Sequence, residues 1–127
     1  MAKCDEGYIC QVCGQDVASV LESDLYLRFV IGELDPELLH TSAERHIRCN
    51  PTLAQFIVAD DFDPVHVDGP FGKSELDRDY VKLRENLVTR GWHRLKEIKQ
   101  MTDTSILDFP LPEIIDQLKQ RANHQSD

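Results

Sequence analysis

The sequence predicts a mainly helical α+β fold. A small N-terminal hairpin is stapled to short helices, and a long amphipathic helix and a C-terminal helix follow. Three observations carry this. From Ser74 to about Met101 the apolar residues recur at helical spacing, first Leu76, Tyr80, Leu83 and Leu87, then Val88, Trp92, Leu95 and Ile98. Tyr8, Ile9 and Val12 are β-formers clustered around Cys10 and Cys13. Between these regions, residues 59–73 hold two prolines and two glycines, which rules out a long regular element there. With 127 residues the chain reads as a single domain 1–127, made of an N-terminal half 4–58, an acidic linker 59–73 and a helical half 74–122.

The hairpin spans Tyr8 to Val17. Gly14 follows the second cysteine, where a positive φ lets the chain turn back. Ala18 to Leu34 carries two patterns. Leu25, Leu27, Phe29 and Ile31 alternate as a strand would, while Ser23 as cap and Gly32 as stop frame a helix with Tyr26, Phe29 and Val30 on one face. The paired start and stop favour the helix. Asp35-Pro36-Glu37 opens a short helix bearing Leu38 and Leu39. Thr41-Ser42-Ala43-Glu44 has the spacing of a capping box and predicts a helix to about Cys49. Pro51 ends it, and Asn50 then caps a helix to about Val58, with Leu53, Phe56 and Ile57 inward. Ser74 and Asp77 resemble the start of a capping box for the long helix, which Gly91 bends or splits. Thr102 to Ser105 reads as a turn, and Ile106 to Pro110 as extended chain. Pro112 starts a last helix with Ile114, Ile115 and Leu118, frayed beyond Arg121.

The most specific chemistry sits in four residues. Cys10-Gln-Val-Cys13-Gly14 is a Cys-x-x-Cys-Gly knuckle, and His46-Ile-Arg-Cys49 is a His-x-x-Cys pair. If the second pair lies on a helix, its members share a face and can chelate one ion. Three thiolates and an imidazole select zinc over magnesium or calcium, and four protein ligands leave no open position for a substrate. A redox role for Cys10 and Cys13 is the competing reading. A thioredoxin-like pair, however, precedes a helix in a βαβ unit, and here Gly14-Gln15-Asp16 reads as a turn. His40 and, more weakly, Cys4 are rival ligands without a chelating neighbour. The knuckle and the distant pair together resemble the treble-clef and zinc-knuckle class of small zinc-binding modules. The resemblance covers Tyr8 to about Val58 and rests on Cys10, Cys13, Gly14, His46 and Cys49. It implies a structural zinc held by those four side chains. The sequence departs from the class between the two pairs, where a mainly helical segment replaces the usual hairpin.

Other clusters are weaker. Asp60, Asp61, Asp63, His66 and Asp68 offer oxygen ligands or an acid and a base, which would make a metal-dependent hydrolase; the spacing of a calcium-binding loop is absent, and a solvated acidic linker accounts for them. Gly72-Lys73-Ser74 lacks the first glycine of a phosphate loop, because Val67 stands there, so Ser74 is a helix cap. Arg90, His93, Arg94, Lys96 and Lys99 gather around Trp92 and could meet phosphates in a nucleic acid. A net charge of −9 works against that reading, and cations also suit a helix C-terminus. With 41% hydrophobic and 29% charged residues, no membrane-spanning run and no signal peptide, a cytoplasmic protein is expected, with reduced thiols. The expected function is non-enzymatic: a structural zinc protein acting as an interaction or adaptor module for another protein. A nucleic-acid-associated zinc protein using residues 90–99 is the alternative, and a hydrolase at Asp60 to Asp68 the second.

Overall fold

The computed structural model describes residues 8–17, 19–39, 41–100 and 108–125. The fold is mainly helical, as expected. Strands β1 (Tyr8–Ile9) and β2 (Asp16–Val17) pair antiparallel, with Tyr8 opposite Val17 and Ile9 opposite Asp16. Four α-helices follow among the described residues: α1 (Asp24–Val30), α2 (Pro51–Ala54), α3 (Arg78–Gln100) and α4 (Pro112–Gln125). None is long and apolar enough to cross a membrane.

Helix α1 is the centre of the core. Leu25, Leu27, Phe29 and Val30 are all buried, and Ile31 just beyond them is too. A helix covered on nearly every side has no polar stripe to display its period. That is why the same residues also alternate like a strand. The Ser23 hydroxyl caps α1 by accepting from the Tyr26 amide at 3.0 Å. Gly32, at φ 86°, follows the helix, and the Glu33 amide donates back to the Arg28 carbonyl at 2.8 Å, a closure that satisfies an end-of-helix acceptor.

Helix α3 lies across α1 and differs from expectation in three ways. It starts at Arg78, because the Asp77 carboxylate rather than Ser74 takes the cap, accepting from the Tyr80 amide at 3.0 Å. Its core side is Val88, Gly91, Trp92, Leu95 and Ile98; the first predicted row fails in part, since Tyr80 is 48% and Leu83 72% exposed. Leu76 and Leu87 of that row still pack against the core and Tyr80 meets Phe56 edge to face, whereas Leu83 points away from it. Gly91 does not split the helix, which runs unbroken through it. A Cβ there would stand 2.4 Å from Ile31 Cγ2 and 3.2 Å from Leu27 Cδ1, so its missing side chain is the place where α1 and α3 approach.

Other expectations also need correcting. Residues 41–45 form no helix, and Thr41 caps nothing: its hydroxyl donates to the Leu38 carbonyl. The Asp35-Pro36 start yields only a 3₁₀ turn, Pro36–Leu38, and α2 ends at Ala54 rather than Val58. Asn50 makes no side-chain cap on α2: its amide nitrogen donates to Asp24 and its amide oxygen accepts from the Thr52 hydroxyl. Leu53, Phe56 and Ile57 are nevertheless buried, as the periodicity requires. Helix α4 continues through Gln125, beyond the expected fraying point. The predicted turn at Thr102 to Ser105 and the first two residues of the stretch Ile106 to Pro110 lie outside the described residues. The chain enters α4 with the Leu111 amide donating to the Val30 carbonyl at 3.0 Å, so α4 is anchored on the end of α1.

Candidate metal centre

The knuckle is built by its own backbone. The Gly14 amide donates to the Cys10 carbonyl, and the Cys10 amide to the Gln15 carbonyl, both at 2.9 Å. Gly14 has φ 76°, the left-handed conformation expected for it. This closed turn points the Val12 amide at Cys10 Sγ, 3.4 Å away. Cys10 is buried and Cys13 is exposed.

The second ligand pair reaches the knuckle by another route than an α-helix. His46 is extended and precedes a 3₁₀ turn, Ile47–Cys49. Its backbone is held by an isolated antiparallel bridge to Ser23, and the neighbouring Arg45 carbonyl accepts from the Asp24 amide at 2.9 Å. The segment 44–46 is therefore laid against the start of α1, and the Gln11 amide donates to the Glu44 carbonyl at 2.9 Å to bring the knuckle up to it. Glu44 closes this junction. Its buried carboxylate accepts from the Ser23 hydroxyl at 2.7 Å, the Leu25 amide at 3.1 Å and the Arg45 amide at 2.9 Å. Tyr26 stands where a capping-box glutamate would sit in α1, and Glu44 meets an orphan amide of that helix from a distant segment.

Here the four residues converge. One ligand atom from each of Cys10, Cys13, His46 and Cys49 lies within 4.8 Å of the others, a group that could hold a metal ion. The imidazole is oriented for it. His46 Nδ1 lies 3.3 Å from Cys13 Sγ and 3.8 Å from Cys49 Sγ, while Nε2 is 2.8 Å from the Asp16 carbonyl oxygen. If Nε2 carries the proton and donates to Asp16, Nδ1 is left with a free lone pair facing the thiols, which is how metal-bound histidines are usually fixed.

The electrostatics fit a cation. Burial pushes the Cys10 thiol up, but backbone amides of Cys13, His46 and Val12 outweigh it, and its pKa falls to about 5. Burial, with Cys10 and Cys13 adjacent, pushes Cys49 up to about 11. Burial lowers His46, yet the Asp16 carbonyl and the neighbouring thiols overcome this and raise it. Three sulfurs and an imidazole thus crowd together with one thiolate favoured and another thiol holding its proton, an arrangement that a soft divalent cation would relieve by displacing protons.

The rival ligands Cys4 and His40 lie outside the described residues. Among the described residues no second metal-ligating group of three converges. The acidic segment is spread out instead: Asp61 pairs with Lys96, and exposed His66 lies 2.8 Å from Asp68. The basic segment is largely spent inside the fold. Arg90 pairs with Glu113 and holds that carboxyl below its usual range. Arg94 donates to the Phe109 and Asp108 carbonyls and to Glu97. Lys96 lies 4.4 Å above Trp92, which is itself buried against Phe62.

Sequence reasoning found the four converging residues but not their supports, Asp16, Asp24 and Glu44. Asp24 is fully buried and accepts from Arg28, Arg45 and Asn50, tying both sides of the second ligand pair to α1. The one available signal was a capped helix start, Ser23-Asp24, with no glutamate at its third position. No protein-family model, no curated protein and no solved structure matches the chain.

Proposed function

We propose that this chain is a zinc-binding protein whose Cys10, Cys13, His46 and Cys49 hold a structural ion, and that it acts through contact with another protein. The observation that carries the zinc reading is the His46 ring, with Nδ1 toward the thiols and Nε2 on the Asp16 carbonyl. A redox pair would need no such imidazole. Four protein donors complete a tetrahedron, so the ion would serve structure rather than catalysis. It would lock the hairpin to the 46–49 turn. In a segment this poor in regular structure, binding free energy is folding free energy. Two apolar side chains on the knuckle, Ile9 at 56% and Val12 at 59% exposure, support a protein contact there. The internal pairing of Arg90, Arg94 and Lys96 favours this over binding to nucleic acid.

Cobalt substitution tests the ligand set. Cobalt(II)-loaded protein is expected to show the intense visible bands of a tetrahedral thiolate site. His46→Ala should alter them, and Cys49→Ser should reduce the sulfur-to-cobalt absorption. An octahedral spectrum, or one unchanged in both variants, would overturn the assignment.

A further inference from the structure

A second site lies away from the four converging residues. A cavity of about 310 Å³ opens between α1, α2 and the first turns of α3, and Arg28 and Arg84 both line it. Its volume is at the lower end for small-ligand pockets. Its walls are aromatic: Phe56 is buried, whereas Phe71 and Tyr80 are 67% and 48% exposed. The Phe71 wall is fixed in place. Buried Gln55 donates to the Phe71 carbonyl at 2.8 Å and accepts from the Lys73 amide at 3.1 Å.

The guanidiniums have donors to spare. Arg84 pairs with Glu33 through Nη1, but its buried Nε has no acceptor among the described residues. A buried donor left unmet is costly, and native structures rarely keep one without a use. Arg28 gives Nε to Asp24, a carboxylate that it shares with Arg45. Of the charged side chains that line the cavity, two are guanidiniums, Arg28 and Arg84, and one is a carboxylate, Glu33, so the lining carries one positive charge in excess in a chain whose net charge is −9.

We propose that this cavity binds a small aromatic monocarboxylate, with the carboxylate on Arg84 and Arg28 and the ring between Phe71 and Tyr80. One negative charge balances the site, and the planar fork of a guanidinium matches a carboxylate. Exposed aromatic walls beside a cation suit a flat apolar body better than a hydrated inorganic anion. Either a free aromatic acid or the C-terminal aromatic residue of a peptide would present this chemistry. The proposal is independent of the metal reading.

Titration of the full-length, metal-loaded chain, followed by ¹H–¹⁵N NMR including the arginine Nε–H resonances, tests it. The probes are phenylacetate, N-acetyl-glycyl-phenylalanine, 2-phenylethanol and inorganic phosphate. Phenylacetate is expected to bind with a Kd of about 1 mM or below and to shift Arg84 Nε–H, Phe71 and Tyr80. Comparable binding of the capped dipeptide would identify a peptide terminus as a source, and its absence a free acid. Arg84→Lys keeps the charge but loses the fork and should weaken phenylacetate about tenfold. Phe71→Ala, at an exposed position, should weaken it about fivefold without altering the fold. Absence of shifts at these resonances, equal binding of 2-phenylethanol or phosphate, or wild-type affinity in both variants would overturn the proposal.

Discussion

Glu44 shows how one side chain can join two parts of a fold. Its carboxylate meets three donors from three places: the Ser23 cap, the first turn of α1 and its own neighbour Arg45. Burial, with Asp24 nearby, outweighs those hydrogen bonds and raises its carboxyl above the usual range. Truncation would strand the donors in a space that water enters poorly. Glu44→Ala is therefore expected to cost about 3 kcal/mol in urea unfolding of the metal-loaded protein, and Glu44→Gln, which keeps one acceptor oxygen, about 1 kcal/mol. An alanine variant as stable as wild type would show that the carboxylate does not hold this junction. The four converging residues were legible in the sequence because each pair is local: two residues separate Cys10 from Cys13 and His46 from Cys49. Glu44 was misread for the opposite reason. Its spacing from Thr41 imitates a local cap, but two of its partners, Ser23 and Leu25, lie about twenty residues upstream, and no local pattern records a long-range bond.

At the scale of elements, the contact between α1 and α3 decides the packing. Helix α1 was legible from its cap and its glycine stop, both local chemistry, whereas its all-round burial blurred its period. Helix α3 was legible in type and length because its apolar positions recur over many turns. Which of those positions reach the core was not legible: Leu83 and Leu95 both belong to apolar repeats, but they stand about 120° apart around the helix, and only the location of α1 shows which of the two faces is covered. Gly91 illustrates the same limit, because close approach leaves no trace in the chain. Gly91→Ala should gain about 1 kcal/mol of helix propensity but force a methyl group onto Ile31, whose β-branched side chain yields little. Overpacking of that kind costs about 1–3 kcal/mol, so a net loss of about 1–2 kcal/mol is expected in denaturant unfolding. A stabilised variant would mean that the two helices stand farther apart.

Across the whole molecule, the helical part and the knuckle are held by different means. From Leu25 to Ile114, buried apolar side chains form one cluster that joins α1, α2, α3 and α4. The knuckle adds little to it: Val17 and Cys10 are buried, but Ile9, Val12 and Cys13 face outward. Two two-residue strands cannot stand alone. If the proposed zinc is structural, the helical part should persist without it, while the hairpin and the 46–49 turn should loosen. The direct measurement is metal content beside stability. Protein purified without added zinc is expected to carry about one zinc per chain, and its removal by a chelator should lower the unfolding temperature and release protection of the 8–17 and 44–50 amides first. Metal-free protein of unchanged stability, with those amides still protected, would contradict a structural zinc at Cys10, Cys13, His46 and Cys49.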